Sequence, residues 1–260
     1  MDEDLELALE LADLADAVAL PRFRARDLRV DTKPDLTPVT EADRGVEQAI
    51  RDRLAQVRPD DGVLGEEFGV AGGGPRRWII DPIDGTKNFV RGVPVWASLV
   101  ALEVDGIVTV GVASAPALGR RWWAGRGAGA FADHEPIHVS GITDLGDAQL
   151  AYDNVPSFEE HGLGEQFLAL ARRCWRSRGF GDFWGHVLVA EGACDVMIEP
   201  IVNLWDLAAI QVIVEEAGGR FTDLAGTPRA DGGNVVTTNG HLHDEVLAAL
   251  GALLRDKETP

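Results

Sequence analysis

The sequence predicts a mixed protein, with an α+β half over residues 1–140 and an α/β half over residues 141–260. Two helical patterns open the chain, and short β-rich segments follow them. After Gln149, apolar strand patterns alternate with helical ones, which is typical of a partly parallel sheet. A chain of 260 residues, 45% of them hydrophobic, also has enough apolar surface to bury a full core.

The first half is predicted to begin with two helices. Leucines at helical spacing predict a helix over Leu5–Leu20, which Pro21 ends. Thr40 is expected to cap a second helix that runs to Val57, because an acidic first turn follows it. The segment between these helices, residues 31–40, is predicted to be a loop.

Short strands and a final alternation of strands and helices make up the rest. Asp105-Gly106 predicts a hairpin turn between two strands of the first half. The strands predicted there are Val63–Leu64, Trp78–Ile80, Ala97–Val104, Ile107–Ala113 and Arg121–Ala124. The strands predicted in the second half are Gln149–Tyr152, Trp175–Arg178, Asp195–Ile198, Arg220–Thr222 and Val235–Thr238. The helices predicted in the second half are Glu159–Arg173, Asp182–Glu191, Trp205–Ala217 and one after Asn239, and the tail after Leu254 is expected to fray.

The net charge of the chain excludes some kinds of binding partner. The 43 Asp and Glu residues exceed the 24 Lys and Arg residues, which gives a net charge of −19. Such a charge repels nucleic acids and anionic membranes, so neither is expected as a partner. No apolar run approaches the roughly 18 residues of a membrane span, and a cytoplasmic protein is expected. An anionic substrate would need a local positive charge, for which a bound metal ion is the obvious source.

Two acid clusters follow apolar strand patterns. Glu66 and its neighbour Glu67 come after one strand, although adjacent glutamates in that position are usually surface charge. Asp81 and Asp84 come after another strand, and Pro82 stiffens the turn so that the two carboxylates can converge. The alternative for this turn is an Asx turn with a helix cap, which needs fewer aspartates.

Two further acids start helices, and a glycine turn lies beside the paired aspartates. Asp206 and Asp43 each stand in a first helical turn, where a carboxylate interacting with the helix dipole is the alternative to a ligand. Gly85-Thr86 would begin a helical turn whose free amides attract an anion. Carboxylates beside such amides require divalent cations between them, and oxygen-only donors favour magnesium over zinc.

Histidines are not expected to be ligands. All six are expected at the surface or at helix caps, because four are isolated in the sequence and His241 and His243 begin the last predicted helix. They are His134, His138, His161, His186, His241 and His243.

Taken together, these motifs resemble the inositol monophosphatase family. The segments that carry the resemblance are Gly65–Glu67, Asp81–Phe89 and Trp205–Ala209, with Thr37–Thr40 and Asp43 nearer the start. Their order and spacing agree over nearly the whole chain. The resemblance implies a layered α-β-α-β-α sandwich, a homodimer, and two or three magnesium ions at the junction of the two halves.

The resemblance also implies a role for each residue of the motifs. The magnesium ligands would be Glu66, Asp81, the carbonyl oxygen of Ile83, Asp84 and Asp206. Gly85 and Thr86 would bind the phosphate of a small-molecule ester through their amides. Thr86 with Asp43, and Glu66 through the ions, would orient the attacking water.

Within the family, the finer resemblance is to the histidinol-phosphate phosphatase branch. Lys87–Trp96 and Gly181-Asp182-Phe183 carry it. Asp182 and Glu199 would suit the positive amine of L-histidinol phosphate, although Asp182 has the alternative of a helix N-cap. Inositol 1-phosphate is the alternative substrate. A metal-binding module without catalysis is disfavoured because the complete acid set and Thr86 are present.

Overall fold

The computed structural model describes residues 3–34 and 36–251, so the predicted fraying after Leu254 lies outside the described residues. The helices in this part of the chain are α1 (Glu3–Ala19), α2 (Glu41–Val57), α3 (Thr86–Arg91), α4 (Val155–Glu160), α5 (Gly164–Arg173), α6 (Asp182–Ala190), α7 (Leu204–Glu216) and α8 (His243–Gly251). The first ten strands are β1 (Val30–Thr32), β2 (Pro38–Thr40), β3 (Gly62–Gly65), β4 (Gly69–Ala71), β5 (Arg76–Asp84), β6 (Ala97–Val104), β7 (Ile107–Ala115), β8 (Arg120–Gly125), β9 (Gly129–Ala132) and β10 (Glu135–Pro136). The remaining strands are β11 (Gln149–Tyr152), β12 (Arg176–Gly179), β13 (Val196–Glu199), β14 (Arg220–Thr222) and β15 (Val235–Thr238).

Two sheets organise the molecule. The larger has eight strands in the order β10-β9-β8-β7-β6-β5-β3-β4, and β3 pairs with β5 in parallel while the other pairs are antiparallel. The smaller has five strands in the order β12-β11-β13-β15-β14. Its pairs of β11 with β12 and β13 are parallel, so the predicted partly parallel sheet of the second half is confirmed.

Helices cover both sheets, which gives five layers in the order α-β-α-β-α. Helices α1 and α2 bury Leu11 and Ile50 against one face of the larger sheet. Helices α6 and α7 lie between the two sheets and bury Val187 and Ile210 there. Helices α4, α5 and α8 cover the outer face of the smaller sheet, where Phe167 is buried. The layered sandwich expected from the sequence is therefore confirmed.

Helix α7 approaches the larger sheet closely at the middle of β7. Gly111, in the middle of β7, leaves no space for a side chain: a Cβ there would stand 2.4 Å from the carbonyl oxygen of Ala209. Glycine at this position therefore allows the helix backbone to rest directly on the strand.

The structure differs from the sequence predictions at several segments. Strands β4, β9 and β10 were not predicted, and two predicted segments have a different structure. The predicted loop at residues 31–40 contains strands β1 and β2, which form an antiparallel pair. All three residues of β1 are exposed, so the alternation of buried and exposed residues that marks a strand is missing there. The single helix predicted over Glu159–Arg173 is two helices, because Gly162 adopts a φ of 72° between them.

Other local predictions hold. Thr40 caps α2, its side chain accepting hydrogen bonds from the amides of Ala42 and Asp43. Asp105 and Gly106 both have positive φ and join β6 to β7, as the hairpin signal predicts. Among residues 3–34 and 36–251, no helix is both long and apolar enough to cross a membrane.

Candidate active site

A cavity of about 240 Å³ lies where the strand ends of the larger sheet meet α6 and α7. Nearly every site residue predicted from the sequence lines it. These are Glu66, Asp81, Ile83, Asp84, Gly85, Thr86, Asp182, Glu199 and Asp206. Asp43 stands behind Thr86, whose hydroxyl is 3.1 Å from Asp43 Oδ1. Residues up to 163 apart in the sequence thus meet in one place.

Three aspartates form the densest part of the site. Asp81, Asp84 and Asp206 each offer a carboxylate oxygen, and these oxygens all lie within 4.8 Å of one another. The pairing of β5 with β6 shifts register between Asp81 and Asp84, and Asp81 Oδ1 accepts a hydrogen bond of 3.0 Å from the Ile83 amide. This tight turn brings two carboxylates three residues apart to the same side of the strand end.

Two of these aspartates also accept backbone amides at helix starts. Asp206 Oδ2 accepts a hydrogen bond of 2.7 Å from the Asn203 amide, just before α7. Asp84 Oδ2 accepts one of 2.7 Å from the Phe183 amide in the first turn of α6. Each of these aspartates can therefore cap a helix and also belong to the acid cluster, because the contact with the amide uses only one of its two carboxylate oxygens.

Burial makes the negative charge of this cluster costly. It raises the pKa of Asp81 and of Asp84 well above the ordinary range, and it raises the pKa of Asp206 as well. Neighbouring carboxylates raise the pKa values of Asp81 and Asp84 further, since like charges so close together disfavour ionisation. An oxygen-only set of donors that needs positive charge fits a hard divalent cation.

Glu66 faces the aspartates from the end of β3, and a lysine lies against it. Lys33 Nζ is 2.6 Å from an oxygen of Glu66 and 2.6 Å from an oxygen of Glu67. Burial raises the pKa of Glu66 to about 6, although the hydrogen bond from Lys33 opposes this. Lys33 was not identified from the sequence because it follows β1, the strand that the pattern did not predict.

A buried glutamate holds the turn that carries Glu66. The Glu47 carboxylate accepts hydrogen bonds from the amides of Glu67 (2.7 Å) and Phe68 (3.2 Å). A Cβ at Gly65 would stand 2.0 Å from Glu47 Oε1, so this carboxylate occupies the space that a side chain would need. The Glu47 carboxylate can pack directly against the backbone at this turn because Gly65 has no side chain.

Thr86 and Asp43 form a second contact group at the edge of the cavity. The Thr86 hydroxyl lies 3.1 Å from Asp43 Oδ1 and 3.0 Å from the Ile83 carbonyl oxygen. The other Asp43 oxygen accepts the Thr40 amide, so this residue belongs to the capping box of α2 and also contacts the cavity wall through Thr86. Burial raises the pKa of Asp43, against the hydrogen bonds from Thr40.

Gly85 shapes the turn beside Thr86. It adopts a φ of 82°, and a Cβ there would stand 3.1 Å from the carbonyl oxygen of Val95. Glycine is the residue that accepts this backbone conformation without strain. Helix α3 then begins at Thr86, which leaves the amides of its first turn without partners inside the helix.

The opposite wall of the cavity carries the other predicted carboxylates. Asp182 opens α6 with a φ of 48°, and its Oδ2 accepts a hydrogen bond of 3.1 Å from the Asn88 side chain. The alternative of an N-cap at Asp182 is wrong, because Gly181 is the N-cap and Asp84 takes the Phe183 amide. Burial raises the pKa of Asp182 to about 6.

Glu199 ends β13 and is paired with a buried histidine. Its Oε2 is 2.9 Å from His186 Nε2, and His186 Nδ1 is 2.8 Å from the Thr237 hydroxyl. The expectation of surface or capping positions is wrong for His186, which is 1% exposed, and for His243, which is fully buried. Both imidazoles are enclosed by elements distant in sequence, so their isolation along the chain did not reveal their burial.

The cavity wall as a whole is strongly acidic. Asp153, which follows β11, adds a carboxylate that the sequence analysis did not single out. The lining carboxylates are Glu66, Asp81, Asp84, Asp153, Asp182, Glu199 and Asp206. Lys87 also lines the cavity, and it is exposed.

Comparison with known proteins gives full-length matches. The family model described as "Inositol monophosphatase family" matches residues 1–255. A histidinol-phosphatase of Mycobacterium tuberculosis is 56% identical, covering 96% of this chain and 98% of the relative. A histidinol-phosphatase of Streptomyces coelicolor is 54% identical, covering 95% and 97%. The solved structure of an inositol monophosphatase from Zymomonas mobilis is 35% identical, with a TM-score of 0.86 and coverage of 95% and 97%.

Proposed function

The chain belongs to the inositol monophosphatase family, and on that premise we propose that it is a histidinol-phosphatase, which hydrolyses L-histidinol phosphate to L-histidinol and inorganic phosphate. The observation that carries the reaction class is the group of Asp81, Asp84 and Asp206, two of them buried, beside the glycine turn at Gly85. The near full-length similarity to two histidinol-phosphatases supports the choice of substrate.

The proposed cofactor is magnesium, with two or three ions in each site. The ligands would be Glu66, Asp81, the carbonyl oxygen of Ile83, Asp84 and Asp206. The donor set supports this proposal because it consists of oxygen atoms, and because neighbouring carboxylates raise the pKa values of Asp81 and Asp84, which a positive charge would offset. When bound, magnesium would supply positive charge opposite the phosphoryl oxygens and would make nearby water more acidic.

The residues around the glycine turn would bind the phosphate and orient the water. The amides of Gly85 and Thr86 would bind the phosphoryl oxygens. The Thr86 hydroxyl would hold the attacking water, and Asp43 would accept the proton that passes through this hydroxyl. The water oxygen would bond to phosphorus as the ester bond opposite to it breaks. The leaving alkoxide would take up a proton from solvent water, and Asp43 would release its proton to solvent.

The opposite wall would bind the leaving alcohol. L-Histidinol carries an ammonium group, and Asp182 and Glu199 would accept charge-assisted hydrogen bonds from it. A neutral polyol such as inositol offers hydroxyl groups but no positive charge. The acidic wall therefore supports histidinol phosphate over inositol 1-phosphate as the substrate.

Measurement of phosphate release tests this function. Protein treated with a chelator and dialysed is assayed on L-histidinol phosphate and on inositol 1-phosphate, with and without added magnesium. We expect no turnover without magnesium, recovery with it, and a preference for histidinol phosphate. Full activity in excess chelator would contradict the mechanism, and a preference for inositol 1-phosphate would change the substrate but not the reaction class. Absence of release from every ester would support a metal-binding module instead.

The proposed setting is histidine biosynthesis in the cytoplasm, and the proposed assembly is a homodimer. Histidine biosynthesis is supported by the names of the relatives, whereas the cytoplasm and the dimer stay proposals, the dimer resting on the family resemblance. Light scattering on the purified protein tests the assembly: a mass near twice 27.9 kDa is expected, and a mass of one chain would contradict it.

A further inference from the structure

Glu199 differs from the other carboxylates of the cavity in the partner that holds it. Its side chain is 9% exposed and pairs with the imidazole of His186, which stands 13 residues earlier on α6. The catalytic steps proposed above do not use His186. A buried polar pair at the wall of a substrate cavity is costly unless each of its groups has a hydrogen-bond partner.

Both nitrogens of His186 have partners, and one tautomer satisfies all of them with an ionised glutamate. Burial lowers the pKa of His186 to about 3, so the imidazole is neutral. In the tautomer with the proton on Nε2, this nitrogen donates to Glu199, while Nδ1 accepts the hydrogen bond that the Thr237 hydroxyl donates. Thr237 thereby orients the ring, and the ring orients the carboxylate.

Neutral donors hold both carboxylates of this wall. Asp182 is held by the side-chain amide of Asn88, and Glu199 is held by the neutral imidazole of His186. Across the cavity, by contrast, the charge of Glu66 is paired with Lys33. Burial, together with the neighbouring carboxylates, raises the pKa of Glu199 well above its usual range. A cation in the cavity would favour the ionised form of this carboxylate and pair with it, while the imidazole holds its orientation.

Packing leaves the imidazole little freedom to move. Helix α6 lies so close to β13 that a Cβ at Gly185 would stand 2.4 Å from the sulfur of Met197. His186 follows that glycine, and Glu199 ends the strand that carries Met197. The distance between the imidazole and the carboxylate is therefore set by the contact of a helix with a strand rather than by flexible side chains.

We propose that His186 is a positioning residue that fixes the Glu199 carboxylate for a positively charged leaving alcohol, so that the site selects phosphate esters of amino alcohols over neutral esters. This inference rests on the proposed function and adds to it the residue that makes the selection. His186 acts through Glu199 and does not touch the phosphate.

Substitution of His186 tests this inference. His186→Phe fills a similar volume but donates no hydrogen bond, whereas His186→Gln places an amide donor near the position of Nε2. The readouts are KM and kcat for L-histidinol phosphate, the inhibition constant of L-histidinol, and kcat/KM for p-nitrophenyl phosphate, which has no amine.

We expect the substitution to weaken the binding of the positively charged ligands, histidinol phosphate and histidinol, without changing the hydrolysis of an ester that has no amine. His186→Phe should raise KM for histidinol phosphate and the inhibition constant of histidinol by about tenfold, because the lost hydrogen bond leaves the carboxylate misoriented. Its kcat and its activity on p-nitrophenyl phosphate should change by less than about threefold. His186→Gln should recover most of the lost selectivity.

A matched control separates selection from general destabilisation. His243→Gln removes another buried histidine that is held by two threonines and does not line the cavity, so it should lower stability without changing selectivity. If both substrates lose activity together in folded His186→Phe, or if neither does, the inference is wrong. Should that variant not fold, His186→Asn replaces it, since its amide is too short to reach Glu199, and unchanged selectivity there overturns the inference. Wild-type protein that does not hydrolyse histidinol phosphate would instead contradict the proposed function.

Discussion

At the scale of single residues, several carboxylates of the site have two roles at once. Asp84 and Asp206 accept backbone amides with one oxygen and belong to the acid cluster as well. Asparagine offers the same oxygen to an amide but carries no charge, and it caps helices about as well as aspartate does. Substitution by asparagine can therefore separate the two roles.

Asp84→Asn and Asp206→Asn are expected to fold normally and to lose at least about a hundredfold in kcat/KM, because the charge proposed to hold the cation is removed. Phosphate release measures the activity, and circular dichroism measures the fold. A near-normal rate in either variant would mean that the residue is only a helix cap.

His243 allows a prediction about acid stability. Burial between two threonines lowers its pKa from 6.5 to about 4. Below pH 6.5 the unfolded chain therefore binds a proton that the folded protein does not, so the stability that neutral His243 contributes is present above pH 6.5 and is lost as the pH falls towards 4.

The difference in melting temperature between wild type and His243→Gln should consequently be largest near pH 7.5. It should narrow as the pH falls to 4.5, by an amount that corresponds to about 1 to 2 kcal/mol. Thermal melts of both proteins over this range measure the difference. A gap that stays constant with pH would show that His243 is not held neutral in the fold.

At the scale of elements, the end of β3 depends on α2. The turn that presents Glu66 is held by the amides that Glu47 accepts, and this carboxylate fills the space beside Gly65. A strand end fixed by a buried glutamate leaves the neighbouring acid pointed into the cavity. The position of Glu66 is thus set by two elements rather than by its own strand.

Gly65→Ala should therefore disturb both stability and activity. The new Cβ would overlap Glu47, and the resulting shift should cost about 1 to 3 kcal/mol of unfolding free energy. Denaturant unfolding and phosphate release measure the two effects. Gly73→Ala is the matched control, because nothing lies within 4 Å of its Cβ position, and it should leave both unchanged. Equal behaviour of the two variants would contradict the proposed role of the close contact.

At the scale of the whole molecule, the acid cluster lies across the junction of the two predicted halves. Asp81 and Asp84 belong to the segment 1–140, and Asp206 belongs to the segment 141–260. Buried residues of α6 and α7 share one core with the larger sheet. We therefore expect the halves to unfold in a single calorimetric transition, and two separate transitions would contradict this.

If magnesium is bound as proposed, it should stabilise the folded protein, because its proposed ligands come together only in the fold. At a concentration about a hundred times its dissociation constant, it should add about 2.7 kcal/mol, or roughly 5 to 10 °C in melting temperature. Melts in magnesium and in chelator at pH 7.5 measure the shift. Asp84→Asn should lack it, and an equal shift in that variant would place the ion elsewhere.

Local sequence signals predicted much of this protein. The helix cap at Thr40, the hairpin turn at Asp105, and the strand that ends in Asp81 and Asp84 could all be identified from nearby residues. These features depend on periodicity and turn chemistry, which are properties of a few consecutive residues. The order of the acid motifs along the chain also indicated the family.

Tertiary packing decided the rest. Lys33 reaches Glu66 from a hairpin whose exposed strand has no hydrophobic alternation, and His186 meets Glu199 because α6 packs on β13. Gly181, not Asp182, is the N-cap of α6, and the Phe183 amide donates its hydrogen bond to Asp84 of β5. Such contacts join residues far apart in the chain, and their energy depends on burial and on partners that become neighbours only when the layers assemble. A short stretch of sequence cannot predict these contacts, because the burial of a residue depends on how the layers pack around it.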